Sequence, residues 1–249
     1  MMVHTRMSAI GWVVGGAETV VRSLLDALGP DGTLMAYTGW EENPYHLAEW
    51  PEEWQRAYLE ELPAFDPRLS EAEHDHGRVP ERLRTWPGAV RSPHPEANVV
   101  AAGPRAEWLC SEHDAVEAPR TPFSKLVESH GQVLMLGAPL GGLTILHHAE
   151  ALADVPNKRR VSYRMPVLED GHRAWRKFTD IETADPGPFP YADVVGNADA
   201  FEVIAREVLS AGCGVSGRVG DAESHLFEAN RLVAFAVAWL EARFGPSPP

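Results

Sequence analysis

The sequence predicts an α/β fold, built as a single domain over residues 1–249 with a central mixed sheet flanked by helices. Three observations lead there. The first 40 residues read as strand, helix, strand, the order that builds a parallel α/β layer. Asp170-Gly171 separates two strand-like runs, which adds an antiparallel pair to that layer. A chain of 249 residues that is 44% apolar is also long enough to bury one substantial core.

The opening MMVHTRMSAIGWVVGG reads as the end of a strand and a turn into a helix near Gly16. Ala17, Val20, Val21, Leu24, Leu25 and Leu28 share one face of that helix, and Gly29-Pro30-Asp31-Gly32 stops it. GTLMAYTGW (Gly32 to Trp40) has the length and apolar content of a buried strand, broken by the loop from Glu41. From about Leu47 to Arg91 the chain is charged and interrupted by proline. It predicts an excursion over the surface with helices at Glu52 to Glu61 and near Pro80 to Thr85. Strands resume at Asn98 to Gly103 and at Gln132 to Ala138, and the hairpin pairs Val161 to Asp170 with His172 to Glu182. After a helix at Ala198 to Ala211, GCGVSGRVGDAE reads as a connection into a last helix from Leu226 to Phe244.

Acidic residues outnumber basic ones 36 to 22, a formal net charge of −14. That balance repels nucleic acid and anionic lipid and attracts a polycation. Cys110 and Cys213 are the only cysteines and stand far apart, so neither a disulfide framework nor a thiolate metal site is expected. No apolar run approaches the ~20 residues that span a bilayer, and no basic-then-apolar leader is visible. A cytoplasmic protein without nucleic-acid or membrane partners is the expectation, as monomer or homodimer.

TILHHAEALADVPNKRR (Thr144 to Arg160) carries the strongest chemical signal. A strand and the glycine pair Gly141-Gly142 lead into a helix with Thr144 as its cap, ended near Val155 by Pro156. His147 then sits in the first turn, where the helix dipole favours the neutral imidazole that a general base needs. Leu146, Ala149 and Ala153 form a buried stripe, so packing alone also accounts for the helix. Glu150, three residues after His147, could orient the ring or join it on a metal, but no third ligand is apparent and no metal is expected.

Other charged groups are less specific. Arg91 in RSPHPEAN could hold a phosphate and Glu96 an amine, while EAEHDHG (Glu71 to Gly77) reads as solvated surface. Glu41 and Glu42 follow one strand; Asp180, Glu182 and Asp185 end another, where ligand sites gather in α/β sheets. Gly15-Gly16 lacks the spacing of a nucleotide-binding fingerprint, and no G-x-S-x-G elbow occurs.

These pieces together resemble the aminoglycoside 3-N-acetyltransferases of the antibiotic acetyltransferase family. The resemblance rests on VHTRMSAIGWVVGGAETVV, GPDGTLMAYTGW, FDP, LRTWPGAVRSPHPEAN, VLMLGAPL, TILHHAEALADVPNKRRVSY and FAVAWLEARFG, in order along nearly the whole chain. It implies the family's mixed α/β fold rather than the commoner GNAT acetyltransferase fold. It also implies acetyl-coenzyme A as donor and the 3-amino group of a deoxystreptamine ring as acceptor, conferring antibiotic resistance. In the L-H-x-A-E motif His147 becomes the catalytic histidine. The acidic segment Asp180 to Asp185 holds ammonium groups and supplies the carboxylate that pairs with the histidine, Glu182 first and Asp185 second, with Glu150 left in a supporting role.

Donor contacts implied by the resemblance fall on Thr5, Arg6 and Met7, where the family usually has H-A-S beginning at His4, and on Arg91, Thr121 and Lys125. The acceptor contacts are Glu41, Glu42, Glu96, Asp180 and Asp185. In the family a further helix and most of a strand precede the segment that Val3-His4 matches, so a layer of core is expected to lie uncovered here. The alternatives are the same transfer onto another amine and a non-catalytic acidic protein that binds cationic sugars.

Overall fold

The computed structural model describes residues 1–40, 44–113, 120–184 and 186–245. In chain order the elements are β1 (Met2–Thr5), α1 (Met7–Ile10), α2 (Gly16–Leu28), β2 (Leu34–Tyr37), α3 (Glu52–Glu61), α4 (Arg78–Arg84), β3 (Val90–Arg91) and β4 (Val99–Ala102). Then follow α5 (Ala106–Cys110), α6 (Pro122–Glu128), β5 (Gln132–Leu136), α7 (Leu146–Leu152), β6 (Arg160–Glu169), β7 (His172–Ile181), α8 (Ala192–Val195), α9 (Ala200–Ser210), β8 (Gly214–Val219), β9 (Ala222–Glu228) and α10 (Ala229–Phe244).

Seven strands form one sheet in the order β3-β4-β2-β1-β5-β9-β8, and β6 pairs with β7 apart from it. β1 runs parallel to β2 and β5, and the outer pairs are antiparallel, so the sheet is mixed. Alternate side chains of each strand point to opposite faces. Met2, Met35, Val133 and Met135 therefore enter the larger core beneath α5, α6, α7, α9 and α10. Val3, Leu34, Ala36 and Leu136 enter a smaller one under α2 and α4. The parallel strands β1, β2 and β5 end on one edge, so their following segments meet there, at His4 to Arg6, at Thr38 to Trp40 and at the approach to α7.

Three parts depart from the sequence expectation, the smallest being that Ile145, not Thr144, caps α7 and makes no side-chain cap hydrogen bond. The stretch expected to connect α9 to the last helix is the hairpin β8–β9, in which Leu226, Phe227 and Glu228 end a strand rather than start a helix. Gly214, Gly217, Ser216 and Arg218 leave β8 with only two valines to carry a strand signal, and β8 is an edge strand that needs little apolar content. The excursion is likewise only half on the surface. α3 is mostly exposed, but Val79 and Leu83 of α4 are fully buried against α2, and Phe65 is buried against the β6–β7 hairpin.

Candidate active site

β5 delivers the chain through Pro139 and a 3-10 turn at Leu140–Gly142 into α7. Leu146 and Ala149, at 1% and 0% exposure, fix the buried face of α7. The helical pitch then sets His147 and Glu150 on a neighbouring face, one turn apart. His147 Nδ1 lies 2.7 Å from Glu150 Oε2, and Tyr191 Oη donates to the other oxygen, Glu150 Oε1, at 2.5 Å. The carboxylate is buried while the imidazole is 23% exposed. With an acidic acceptor on Nδ1, that nitrogen carries the proton and Nε2 keeps a lone pair for a substrate. Phe201 of α9 packs on the ring at 4.8 Å between centroids.

His147 stands where two cavities meet. The larger, about 760 Å³, is walled by Glu150, Tyr191, Asp199, Phe201 and the loop 186–187. The smaller, about 210 Å³, is walled by Tyr37, Glu73, His76, Glu96 and Thr144, and Thr183 and Ala184 border both. Gly141 permits part of this closeness, because a Cβ there would lie 2.7 Å from Asp199 Oδ2. His148, next in the chain, faces the core, and burial pulls its imidazole down to about 4. Burial and then the nearby His76 pull His4 down to about 4 as well. His4 Nε2 lies 3.4 Å from Thr144 Oγ1 behind the smaller cavity.

The structure brings together some of the expected residues and separates others. His147 is at the centre, but the carboxylate on its Nδ1 is Glu150, not Glu182. Glu182 instead follows β7, donates its backbone N–H to the Arg159 carbonyl, and places its neighbours Thr183 and Ala184 at the cavities. Glu96 lines the smaller cavity. Asp180 does not reach either cavity wall: a residue of β7 at 1% exposure, it accepts a hydrogen bond from Tyr163 Oη at 2.7 Å and lies 3.8 Å from His94 Nε2. Glu41, Glu42 and Asp185 lie outside the described residues.

Of the expected donor contacts, Thr5, Arg6 and Met7 sit at the end of β1, on the edge where the parallel strands stop. Thr5 Oγ1 is buried with no hydrogen-bond partner among the described residues, and Arg6 is exposed. The other three are committed elsewhere. The Arg91 guanidinium donates to Asn98 Oδ1 at 2.6 Å and to the carbonyls of Ser70 and Gly39. Thr121 caps α6 by accepting the Ser124 N–H at 3.1 Å. Lys125, whose side chain is 1% exposed, donates to the Trp108 and Ser111 carbonyls at 2.8 and 2.5 Å. The Arg91 and Lys125 donors and the Thr121 hydroxyl oxygen are thus engaged within the fold.

Sequence reasoning also passed over groups that the fold makes part of the cleft. Glu73, read as solvated, lines the smaller cavity 3.0 Å from His76 Nε2. Tyr191 and Asp199 carried no motif at all. Among the described residues no group of three or more metal-ligating side chains occurs, and no helix is long and apolar enough to cross a membrane.

The site is thus a carboxylate-supported imidazole standing where the parallel strands of a mixed α/β sheet end and two cavities meet. The chain matches the family model described as aminoglycoside 3-N-acetyltransferase over residues 2–241, and it belongs to that family. It is 53% identical over 249 residues to aminoglycoside N(3)-acetyltransferase VIII of Streptomyces fradiae, covering 98% of this chain and 86% of the relative. Among solved structures it is similar to the aminoglycoside acetyltransferase AAC(3)-Xa, with a TM-score of 0.93 and 48% identity over 98% of this chain and 86% of the other. It is also similar to AAC-IIIb, solved as a binary complex with CoASH, with a TM-score of 0.88 and 42% identity over 99% and 91% of the two chains.

Proposed function

We propose that the protein transfers an acetyl group from acetyl-coenzyme A to the 3-amino group of the 2-deoxystreptamine ring of aminoglycosides, and that this confers resistance on its host. The observation that carries the reading is His147, held by Glu150 at 2.7 Å where two cavities meet. Family membership and the CoASH complex of AAC-IIIb support the choice of substrates.

The chemistry follows from what the residues offer. Carboxylates around the cavities, Glu73, Glu96 and Asp199 among them, hold the ammonium groups of the acceptor. The reacting amine, in its neutral form, attacks the thioester carbonyl carbon; a C–N bond forms, and His147 Nε2 takes the proton that the nitrogen sheds. The C–S bond then breaks, and the departing sulfur receives that proton, leaving the amide and free coenzyme A. While His147 is charged, the buried Glu150 carboxylate stabilises it and holds its orientation. Thr5 Oγ1, a buried hydroxyl without a partner among the described residues, fits a role in holding the donor.

The test is thiol release from acetyl-coenzyme A across a panel of deoxystreptamine aminoglycosides and simple amines, with the product's acetylated nitrogen located by NMR. The reading expects thiol only with the aminoglycosides and acetyl on the 3-amino group. Thiol with simple amines alone, or acetylation at another nitrogen, would overturn it.

A further inference from the structure

We propose that Tyr191 is a positioning residue for the transfer: its hydroxyl holds one oxygen of Glu150 so that the other stays on His147, and it thereby ties the loop that walls the larger cavity to the base. The inference rests on the reading of His147 as the base.

A carboxylate presents two oxygens, and here each has one donor. His147 Nδ1 occupies Oε2, and Tyr191 Oη occupies Oε1 from 41 positions along the chain. Glu150 is 1% exposed, so water does not replace a missing donor cheaply. With Oε1 pinned, the carboxylate plane loses its freedom to rotate, and the direction of Oε2 toward the imidazole becomes fixed. The Tyr191 hydroxyl is a permanent donor, because burial and then the adjacent Glu150 carboxylate raise its pKa far above the ordinary phenol range.

The tyrosine is itself held from both sides. Its ring meets Phe189 and Phe244 edge-on, each at 5.6 Å, and those two rings stack on one another at 5.2 Å. Arg159, in the segment that follows α7, grips the loop before it. Its guanidinium donates to the carbonyls of Pro186, Gly187 and Phe189, and its backbone N–H donates to that of Pro188. Pro186, Gly187, Pro190 and Tyr191 of the same loop wall the larger cavity.

Tyr191→Phe removes the hydroxyl and keeps the ring packing. The expected result is a fall in kcat of about tenfold with little change in KM. The sign of the pH effect follows from charge: without its second donor the Glu150 carboxylate is more basic and stabilises the imidazolium more strongly. The acidic limb of kcat/KM then moves to higher pH. In a Glu150→Gln background the same substitution should cost less than twofold, because the hydroxyl acts through the carboxylate. An NMR titration of the His147 ring, assigned by loss of its signal in His147→Ala, should show the same upward shift in Tyr191→Phe. An unmoved His147 titration, or an equal loss of kcat with and without the Glu150 carboxylate, would overturn the proposal. The titration does not depend on turnover. If His147→Ala retains activity, the base reading fails on its own, while the titration still reports on the Tyr191–Glu150–His147 connection.

Discussion

Burying Glu150 is unfavourable unless both of its oxygens are matched, and His147 and Tyr191 match them. The pair therefore behaves as a unit, and removing the charge has a predictable sign. In Glu150→Gln the imidazolium loses its anionic partner, so His147 becomes harder to protonate and the acidic limb of kcat/KM moves to lower pH. That direction is opposite to the one expected for Tyr191→Phe. We expect kcat to fall about 10²-fold as well, read from steady-state thiol release over pH 5 to 9. A limb that stays in place would mean that Glu150 does not contact the titrating base. His147 was legible in the sequence because an imidazole in the first turn after a buried strand is unusual, and because the L-H-x-A-E resemblance fell on it. Glu150 was equally legible from its i,i+3 spacing but was set aside for Glu182, whose claim rested on the resemblance. Tyr191 was out of reach, since nothing local marks a tyrosine in a Pro/Gly loop as the neighbour of a helix 41 residues earlier.

At the scale of elements, Arg91 ties the charged segment from Leu47 onward to the sheet. It joins β3 to the carbonyls of Gly39 and Ser70 and to Asn98, which precedes β4. Arg91→Leu leaves the buried Asn98 Oδ1 and Gly39 carbonyl and the half-buried Ser70 carbonyl without their cation, so a loss of about 3 kcal/mol is expected in urea unfolding. KM for acetyl-coenzyme A should stay within about twofold in the protein that remains folded, since the guanidinium faces inward. A large rise in donor KM at unchanged stability would return Arg91 to the donor site. The β6–β7 hairpin could be read directly, because Asp170 and Gly171 both take positive φ, 51° and 78°, as a tight two-residue turn requires. The β8–β9 hairpin could not, because its turn at Gly220-Asp221 is flanked on one side by an exposed edge strand with no alternating apolar pattern.

For the whole molecule, the net charge of −14 acts on the two substrates in opposite ways. It draws a polycation in and repels an anionic coenzyme, and salt screens both effects. Raising salt from ~0.02 to ~0.5 M should lower kcat/KM for the aminoglycoside severalfold and leave kcat/KM for acetyl-coenzyme A level or higher. Histidines removed from water set a second global property, and burial holds His113 well below its ordinary value as well. His4 and His148 are held at about 4 in the fold against 6.5 when free, so the unfolded chain binds protons that the folded chain refuses. Their contribution is intact above pH 6.5 and is lost as pH falls toward 4, by about 1.4 kcal/mol per pH unit for each ring. Urea midpoints should decline as pH falls below 6.5, with a shallower decline in His148→Gln. The fold class, the opening strand–helix–strand and the β6–β7 hairpin were readable from periodicity and turn chemistry, whereas the cleft depends on which loops meet at the ends of β1, β2 and β5. The central claim, that His147 takes the proton from the attacking amine, is tested most directly in His147→Ala by measuring thiol release at saturating substrates beside calorimetric binding of the aminoglycoside. The account predicts turnover reduced by at least ~10²-fold with acceptor affinity retained. Turnover within tenfold of the unsubstituted protein would contradict it.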